Sequence, residues 1–326
     1  MTQPLVSVVM AVHNGCQFLG ESIESILNQS FDDFEFLVVD DGSTDGTSQI
    51  LHNYAFADPR LRIYTQKNLG QTASLNKGWR LARGELVARM DADDLAKPER
   101  IKRQVEFLKF HPEVALLGTS FEFMSRDGTR RLPILLPSED ADIKKALPHG
   151  NCLAHPTIMM RKFALIETGG YRSAFLHAED YDLWLRIAER YTLANLADPL
   201  LGYRIHPGQI SLRHIRQQAV SALAARLAAQ RRKELGRDPF DQMKSVTEEL
   251  LYKLGVPAES LTLAIDQSIG AMSDVALELG ETEICNQLQS RAPAGVRPWR
   301  SAKIHFGRGR LRQRLQCLIR RCLARA

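Results

Sequence analysis

Residues 85 to 94, with the sequence ELVARMDADD, combine a short, mainly apolar strand pattern with a cluster of acidic side chains. The carboxylates are those of Asp91, Asp93 and Asp94. Because open α/β sheets bind ligands at the carboxyl ends of their strands, the pattern predicts that these side chains lie at a ligand site. Such closely spaced carboxylates repel one another, and a divalent cation would neutralise them. For an isolated Asp-x-Asp, a solvated acidic turn would be the stronger interpretation.

The segments before this cluster predict the sheet that carries it. Residues 5–12 and 34–39 are nearly continuous apolar runs, as in strands that are buried on both faces of a parallel sheet. Apolar residues at helical spacing separate the two runs, which indicates a right-handed βαβ unit. Asp40 and Asp41 end the second run, and a third strand is expected at 61–64. The two acidic clusters are therefore expected at the same edge of the sheet.

The alternation of strands and helices continues to residue 187. A helix is expected at 101–110, and strands at 114–118 and 157–160. Residues 125–150 predict a turn and a surface loop that could become ordered over a ligand. Glu179 and Asp180 open an amphipathic helix, where carboxylates also stabilise a helix N-terminus through its dipole. The predicted fold class is α/β, with a mostly parallel, Rossmann-like sheet flanked by helices.

Two common phosphate-binding motifs are missing from the sequence. Gly-x-Gly-x-x-Gly does not follow the first strand, which argues against a dinucleotide-dependent dehydrogenase, and there is no Walker lysine loop. A nucleotide would then be held by carboxylates on its base and sugar and by a metal ion on its phosphates. That combination is typical of nucleotide-sugar chemistry.

Composition describes an ordinary globular protein with a basic C-terminal segment. The chain has 326 residues, of which 44% are hydrophobic and 25% are charged, and no apolar stretch has the length that a bilayer span needs. Its five cysteines are scattered without a Cys-x-x-Cys pair, so we expect reduced structural thiols and a cytoplasmic location. The formal net charge of +5 arises largely from residues 297–326, which are rich in Arg and contain no Asp or Glu.

The C-terminal third predicts helices rather than strands. Residues 211–296 carry helical stripes of apolar residues and could form an acceptor subsite, a docking surface or a cap on the core. Residues 297–326 form a basic amphipathic pattern, which favours a peripheral helix on an anionic membrane surface, although a terminal helix docked on its own domain would look similar. Nucleic acid is not an expected partner, because no aromatic platform accompanies the arginines.

Five motifs in a fixed order make residues 4–212 resemble the family 2 glycosyltransferases of the GT-A fold. These motifs are VSVVMAVHNG from Val6, VVDDGSTD from Val38, MDADD from Met90, HPT from His155 and EDYDLW from Glu179. The resemblance implies an inverting, metal-dependent hexosyltransferase that moves a sugar from a nucleotide-sugar donor to a hydroxyl acceptor. It also implies Mg²⁺ or Mn²⁺ as the cofactor, and a catalytic domain at residues 1–210.

The resemblance also assigns roles to individual positions. Ala11 and His13 match residues that flank the donor base, and His13 stands where the family commonly has Tyr. Asp41 matches a carboxylate that accepts a hydrogen bond from a uracil-type ring, as in a UDP-sugar, and Asp40 supports the same turn. Asp91 resembles the ribose or metal-water ligand. Further matching or candidate donor-side positions are Asn14, Lys67, Asn68, Asn76 and Ala92.

Metal, base and acceptor positions complete the implied site. Asp93 matches the residue that binds the metal directly, and Asp91 is the neighbouring candidate ligand. Asp94 is expected to support these residues without contacting the metal. Asp180 matches the general base that removes the acceptor's hydroxyl proton, with Glu179 as the second candidate. Candidates for the acceptor side, each with a structural role as its alternative, are His155, Trp184, Arg204 and His206.

The family resemblance places the enzyme in the synthesis of a cell-surface polysaccharide or glycolipid, with a growing glycan or a lipid-linked sugar as acceptor. One alternative is a sugar nucleotidyltransferase, because related α/β sheets also use paired carboxylates and a metal. The other alternative is a non-catalytic module that binds a nucleotide sugar.

Overall fold

Nine strands join into one mixed sheet in the computed structural model, which describes residues 3–291. The strands are β1 (Val6–Val12), β2 (Phe34–Asp40), β3 (Leu61–Thr65), β4 (Leu86–Met90), β5 (Leu95–Ala96), β6 (Val114–Met124), β7 (Arg131–Ile134), β8 (Met159–Arg161) and β9 (Thr192–Arg204). Their order across the sheet is β3-β2-β1-β4-β8-β6-β9-β5, and β7 pairs with β6 outside this path.

Helices cover the sheet, and after residue 209 they are the regular elements of the described range. They are α1 (Leu19–Leu27), α2 (Thr47–Ala57), α3 (Gln71–Leu81), α4 (Arg100–Phe110), α5 (Asp140–Ala146), α6 (Lys162–Thr168), α7 (Glu179–Ala188), α8 (Ile210–Arg213), α9 (Ile215–Leu235), α10 (Glu248–Lys253), α11 (Ala258–Leu279) and α12 (Thr282–Ser290). A single 3₁₀ turn covers His155–Thr157.

The sheet confirms the predicted α/β class. Strands β1, β2, β3 and β4 are parallel neighbours, and β6 and β9 pair in parallel beyond them, whereas β8 runs antiparallel between β4 and β6. The apolar runs at β1 and β2 are buried on both faces, with Val8 and Phe36 fully inaccessible to solvent. This burial explains why the sequences of β1 and β2 are continuously hydrophobic and do not alternate between apolar and polar residues.

The prediction of a surface loop over residues 125–150 was wrong in part, because this segment contains β7 and α5. The turn predicted at its start is present, with Gly128 at φ 74°, and it closes a hairpin between β6 and β7. Only β6 pairs with β7, so Pro133 can occupy this edge strand without removing a hydrogen bond from a central ladder. Because β7 is short and contains a proline, its hydrophobic pattern did not indicate a strand.

A buried ion-pair network attaches the helical extension to α7. Arg172 binds Asp182 and also Asp238, with a distance of 2.9 Å between its Nη1 and the Asp238 carboxylate. Arg232 on α9 reaches the same Asp238, and Arg186 binds Asp182 at 2.9 Å. Because Asp182 follows Glu179 and Asp180 on α7, the network fixes the helix that presents those carboxylates.

The predicted boundary at residue 210 falls where β9 has ended and α8 begins, and the domain division stays a prediction. The basic tail at 297–326 lies outside the described residues. Between residues 3 and 291, no helix has both the length and the apolar character that crossing a membrane requires.

Candidate active site

The site lies at the carboxyl ends of β1, β2 and β4. In the parallel register, Val12 pairs with Asp40 and Met10 pairs with Met90, so the acidic segments that follow β2 and β4 flank the end of β1. A cleft of about 830 Å³ opens at this edge. The predicted site residues that line it are Ala11, His13, Asn14, Asp41, Asn68, Asp91, Ala92, Asp93, Glu179 and His206.

Asp41 organises the loop that closes one end of the cleft. Its Oδ1 accepts hydrogen bonds from Gln66 Nε2 at 2.7 Å and from the backbone N–H of Leu69 at 2.9 Å. Its Oδ2 accepts one from the N–H of Gly70 at 2.8 Å. Burial alone would raise the pKa of Asp41, but these hydrogen bonds outweigh burial and hold the pKa below its ordinary value. Asp41 is therefore an ionised anchor whose remaining acceptor capacity faces the cleft.

His13 lies beside this anchor in a defined tautomer. Its Nε2 lies 3.1 Å from the amide nitrogen of Asn68, which can only donate, so Nε2 is the acceptor. Its Nδ1 therefore carries the proton and donates to the backbone oxygen of Asp41 at 3.0 Å. Asn14 adopts a positive φ of 52° and accepts a hydrogen bond from the Thr44 N–H at 2.8 Å, which holds the two loops together.

Asp40, Asn76 and Lys67 are not among the residues that line the cleft. Asp40 is 1% exposed and accepts hydrogen bonds from the Ser43 N–H at 3.0 Å and from the Ser48 hydroxyl. Asn76 bonds the backbone of Tyr171 through both ends of its amide, at 2.8 and 3.1 Å. Asp40 and Asn76 thus satisfy nearby backbone groups, a role that sequence spacing could not separate from ligand binding.

The carboxylates after β4 have three different environments. Asp91 pairs with the buried Arg89 and keeps a side chain that is 25% exposed. Burial raises the pKa of Asp91, and Arg89 opposes this rise. Asp93 is 29% exposed and lies 2.9 Å from His206 Nε2. Asp94 is 1% exposed, and burial together with the charge of Asp93 raises its pKa well above the ordinary value.

Arg204 holds this acidic loop from below and does not line the acceptor side, contrary to its prediction. The side chain is 2% exposed, and its guanidinium donates to the backbone oxygens of Asp93 and Arg126 at 2.9 and 2.6 Å and to Glu21 at 2.6 Å. Its backbone N–H donates to Asp94 at 2.9 Å. With every nitrogen of the guanidinium committed to a protein oxygen, Arg204 is a structural clamp.

Asp91, Asp93 and His206 are the side chains that could hold a metal ion. Across residues 3–291, no group of three or more His, Cys, Asp or Glu is already arranged to enclose one. Mg²⁺ and Mn²⁺ prefer oxygen ligands, and Mg²⁺ usually takes several of its ligands from water and substrate phosphates. Two partly exposed carboxylates at the wall of an open cleft fit such an ion, because the substrate would complete its coordination.

A second cavity of about 380 Å³ adjoins the first and contains the predicted base. Asp91, Asp93 and Glu179 line both cavities, and Asp180 lines the second. Burial raises the pKa of Asp180 to about 6, although hydrogen bonds from the Tyr181 N–H and from Asn151 oppose the rise. Burial also raises the pKa of Glu179 to about 7, and the charge of Asp180 adds to this effect. Carboxylates with raised pKa values in a cleft suit proton transfer near neutral pH.

His155 and Trp184 occupy different positions although both were predicted on the acceptor side. His155 lines the second cavity and lies 3.0 Å from the Tyr171 hydroxyl. Trp184 is 0% exposed and packs edge-on against His155 at 5.7 Å between ring centroids, so it belongs to the core and cannot stack on a sugar. Trp184 thus illustrates why a helical aromatic beside a catalytic motif cannot be assigned from spacing alone.

Several polar side chains of the site were missed by the sequence analysis. Side chains that line a cavity and have a buried atom without a hydrogen-bond partner in the described structure include Thr72 Oγ1 and Gln209 Oε1 among the missed residues, and Glu179 Oε2 among the predicted ones. Others at the cleft are Gln71, Arg126, Asn151, His177, Arg213 and His214. His177 has a positive φ of 66°, which no sequence pattern indicates for a histidine. Unpaired polar atoms concentrated in one cleft are what a polar ligand would satisfy.

Comparison with known proteins identifies the family. The model of the family described as "Glycosyl transferase family 2" matches residues 7–170. The O-antigen biosynthesis glycosyltransferase WbnJ of Escherichia coli is 36% identical over 208 residues, which cover 62% of this chain and 80% of WbnJ. The amylovoran biosynthesis glycosyltransferase AmsE of Erwinia amylovora is 32% identical over 213 residues, which cover 64% of this chain and 79% of AmsE.

Solved structures share the fold at lower sequence identity. The mannosyltransferase PcManGT of Pyrobaculum calidifontis, in complex with GDP-Man and Mn²⁺, superposes with a TM-score of 0.55 at 19% identity and covers 88% of this chain and 86% of its own. Staphylococcus aureus TarS 1–349, in complex with UDP-GlcNAc, gives a TM-score of 0.54 at 19% identity, with 87% and 89% covered. From the family match and the relatives together, the chain belongs to glycosyl transferase family 2.

Proposed function

We propose that this protein is an inverting, metal-dependent glycosyltransferase that transfers a hexose from a nucleoside diphosphate sugar to a hydroxyl group. The observation that carries the proposal is the arrangement of Asp41, Asp93 and Asp180. Asp41 and Asp93 line the first cavity, and Asp93 and Asp180 line the second, which adjoins it. A donor in the first cavity and an acceptor in the second would therefore meet at Asp93.

The first cavity suits the nucleotide of the donor. Asp41 Oδ2 accepts a hydrogen bond from the Gly70 N–H, and a carboxylate oxygen can accept another, here from the imide N–H of uracil. The ring of His13 is held beside it and can stack on the base. We therefore propose a UDP-sugar as donor, with guanine, which also has a ring N–H, as the competing base.

The second cavity suits the acceptor, and Asp180 is the proposed general base. Asp180 Oδ2 takes the proton of the acceptor hydroxyl while the oxygen forms a bond to the anomeric carbon and the bond from that carbon to the phosphate oxygen breaks. Asn151 donates to the same Oδ2 at 3.0 Å and orients the carboxylate. When bound at Asp91 and Asp93, Mg²⁺ or Mn²⁺ would act as a Lewis acid that stabilises the negative charge on the departing diphosphate. Attack on the face opposite the leaving group would invert the anomeric carbon.

The names of its relatives support a place in polysaccharide synthesis. WbnJ is named for O-antigen biosynthesis and AmsE for amylovoran biosynthesis. We propose that this chain likewise extends a cell-surface glycan and works in the cytoplasm. An anionic membrane surface remains the predicted partner of residues 297–326. Deleting that tail should abolish binding to vesicles that contain anionic lipid and should spare donor hydrolysis; unchanged binding would reject the anchor.

The proposal is tested by incubating nucleotide sugars with and without Mn²⁺ and identifying the products. A glycosyltransferase releases nucleoside diphosphate from the matching sugar nucleotide, whereas a nucleotidyltransferase would release pyrophosphate from a nucleoside triphosphate and a sugar phosphate. Thermal shift with the same panel identifies the donor, because a ligand that binds the folded state raises its apparent stability. The anomeric configuration of the product, read by NMR, tests inversion.

Substitution of the base separates catalysis from binding. Asp180→Asn should lose transfer by at least about 100-fold, the typical contribution of general base catalysis, and should retain the thermal shift with donor. The matched control is Asp142→Asn, an exposed carboxylate on α5, which should transfer at the normal rate. Full activity of Asp180→Asn would support a non-catalytic role for this carboxylate and would reject the mechanism.

A further inference from the structure

Part of the lining of the second cavity is an apolar platform built by three strands. Phe121 and Phe123 are two residues apart on β6 and therefore share one face of the sheet. Their register partners are Ile134 on β7 and Tyr203 on β9, which lie on the same face. The rings meet edge to face, with Phe123 at 5.0 Å from Phe121 and 5.4 Å from Tyr203 between centroids. All four side chains line the cavity.

The helical extension completes this wall. Met272 of α11 lines the same cavity, so a side chain from beyond residue 210 contributes to the site. The extension is attached at this point, because the Arg126 N–H donates to Glu281 at 2.7 Å at the tip of the β6–β7 hairpin. This hydrogen bond joins the helical extension to the hairpin whose strands carry part of the platform.

The other wall offers hydrogen-bond acceptors that the protein leaves unpaired. Gln209 is 6% exposed and Glu179 is 4% exposed, yet Gln209 Oε1 and Glu179 Oε2 have no partner among residues 3–291. Both residues line the cavity. An amide oxygen can only accept a hydrogen bond, so Gln209 requires a donor group on the ligand. A hydroxyl supplies one, whereas a carboxylate or phosphate group supplies acceptors only.

Charge points to the same class of ligand. The described residues that line this cavity include Asp91, Asp93, Glu179 and Asp180 but neither Lys nor Arg. The cations of the site lie elsewhere, since Arg126 and Arg213 line the first cavity. Arg89 pairs with Asp91, and a metal ion would occupy Asp91 and Asp93, so Glu179 and Asp180 are the carboxylates that an anionic acceptor would meet. Juxtaposed like charges cost several kcal/mol in binding.

We propose that the acceptor pocket selects an uncharged sugar ring, whose C–H face packs on Phe123 and Tyr203 and whose hydroxyl groups donate to Gln209 and Glu179. This inference rests on the proposed function and narrows its acceptor to a neutral glycosyl end, as opposed to a uronic acid or a sugar phosphate.

Paired glycosides that differ only at C6, where a hydroxymethyl group is replaced by a carboxylate, test the proposal by direct binding. The probes are 4-nitrophenyl β-glucoside with its glucuronide, and 4-nitrophenyl β-galactoside with its galacturonide. Binding is measured by saturation-transfer NMR in the presence of UDP and Mn²⁺. At least one neutral member should bind, and its uronate should bind at least about tenfold more weakly because of the carboxylate wall. Failure of both neutral probes to bind, or equal binding of a uronate, overturns the proposal.

Two variants locate the selectivity in this pocket. Phe123→Ala should weaken the neutral probe by about three- to tenfold through loss of ring contacts, whereas the control Phe56→Ala, which is 95% exposed, should not. Met272→Lys places a cation in the pocket and should raise the affinity for the uronate relative to the neutral probe. Its control is Leu277→Lys, a position on the same helix that is 43% exposed and outside the cavity. The proposal is contradicted if folded Met272→Lys has the same affinity for the uronate, relative to the neutral probe, as the wild type. It is also contradicted if Phe123→Ala binds the neutral probe as tightly as the wild type does.

Donor turnover separates this proposal from the one on which it rests. The control variants Phe56→Ala and Leu277→Lys, which lie outside both cavities, should hydrolyse the donor in the absence of acceptor at the wild-type rate. If the wild-type protein hydrolyses donor but fails the selectivity test, only the acceptor class is wrong. If it neither hydrolyses nor transfers from any nucleotide sugar, the proposed function itself is wrong.

Discussion

The hydrogen bond from Asn151 to Asp180 should set the pH at which the enzyme loses activity. Asn151 Oδ1 accepts from the Leu153 N–H at 3.1 Å, so the amide nitrogen is the group that faces Asp180, at 3.0 Å from Oδ2. A donor to a carboxylate stabilises its charged form and lowers its pKa. Removing that donor in Asn151→Ala should therefore raise the pKa of Asp180 above its present value of about 6.

The size of this shift follows from the strength of the bond. A hydrogen bond to a charged group contributes about 1.5 to 3 kcal/mol, and one pKa unit corresponds to about 1.4 kcal/mol. Asn151 is exposed, so water replaces part of the lost interaction and the expected rise is about 0.5 to 1 pKa unit. In the proposed mechanism, the base acts as the ionised carboxylate. The acid limb of kcat/KM should thus move to higher pH by that amount.

The assay is the pH dependence of kcat/KM at one saturating concentration of Mn²⁺, so that the charge of the metal acts equally on both proteins. One pH unit below the wild-type inflection, Asn151→Ala should be slower by about three- to tenfold, and above pH ~8 the two profiles should converge. Asn53→Ala, an exposed asparagine on α2, is the matched control. An inflection that stays in place or moves to lower pH in Asn151→Ala would refute the reasoning.

Three further substitutions test the packing that supports the site. Asp182→Ala removes the fully buried partner of two arginines and should lower the free energy of unfolding by about 3 to 5 kcal/mol in a urea titration; a change similar to that of the exposed Asp142→Ala would contradict the buried network. Gly84→Ala would place its Cβ 2.7 Å from the Ser7 backbone nitrogen, so a loss of about 1 to 3 kcal/mol is expected, and an unchanged urea midpoint would argue against that close approach. Trp184→Phe should lower the melting temperature without changing the KM for the acceptor, because the indole lies in the core. A raised KM at unchanged stability would instead indicate that Trp184 contacts the acceptor.

The part of the fold that sequence predicted best is the half-sheet at the N-terminus. Strands β1 and β2 are buried on both faces, so their apolar runs are long and their ends are marked by the acidic residues that follow. Their parallel register follows from the βαβ connection, and it places Asp41 and Asp91 at one edge without any knowledge of distant contacts. The local sequence pattern was sufficient here because the apolar runs of β1 and β2 match the burial of both strands in the folded protein.

The parts that sequence did not predict depend on contacts between distant segments. Whether Asn76 faces a ligand or the Tyr171 backbone, 95 positions away, is decided by how the loop before α7 packs on α3. Likewise, Gln209 and Asn151 belong to no acidic or aromatic motif, and they become part of the site only because α8 and the loop before the 3₁₀ turn meet α7. The strand β7 escaped prediction because an edge strand of four residues with a proline has little periodic signal.

The structure also shows how the negative charges of the acidic cluster after β4 are compensated. Close carboxylates were expected to need a divalent cation, yet the protein supplies part of the compensation itself. Arg89, which is 2% exposed, pairs with Asp91, and the backbone N–H of Arg204 donates to Asp94. Asp93 lies against His206, and no Lys or Arg among residues 3–291 forms an ion pair with it, so its charge has the weakest compensation of the three. We infer that a metal ion is required less for folding of this loop than for binding the diphosphate, so metal removal should abolish donor binding and leave the melting temperature of the ligand-free protein nearly unchanged.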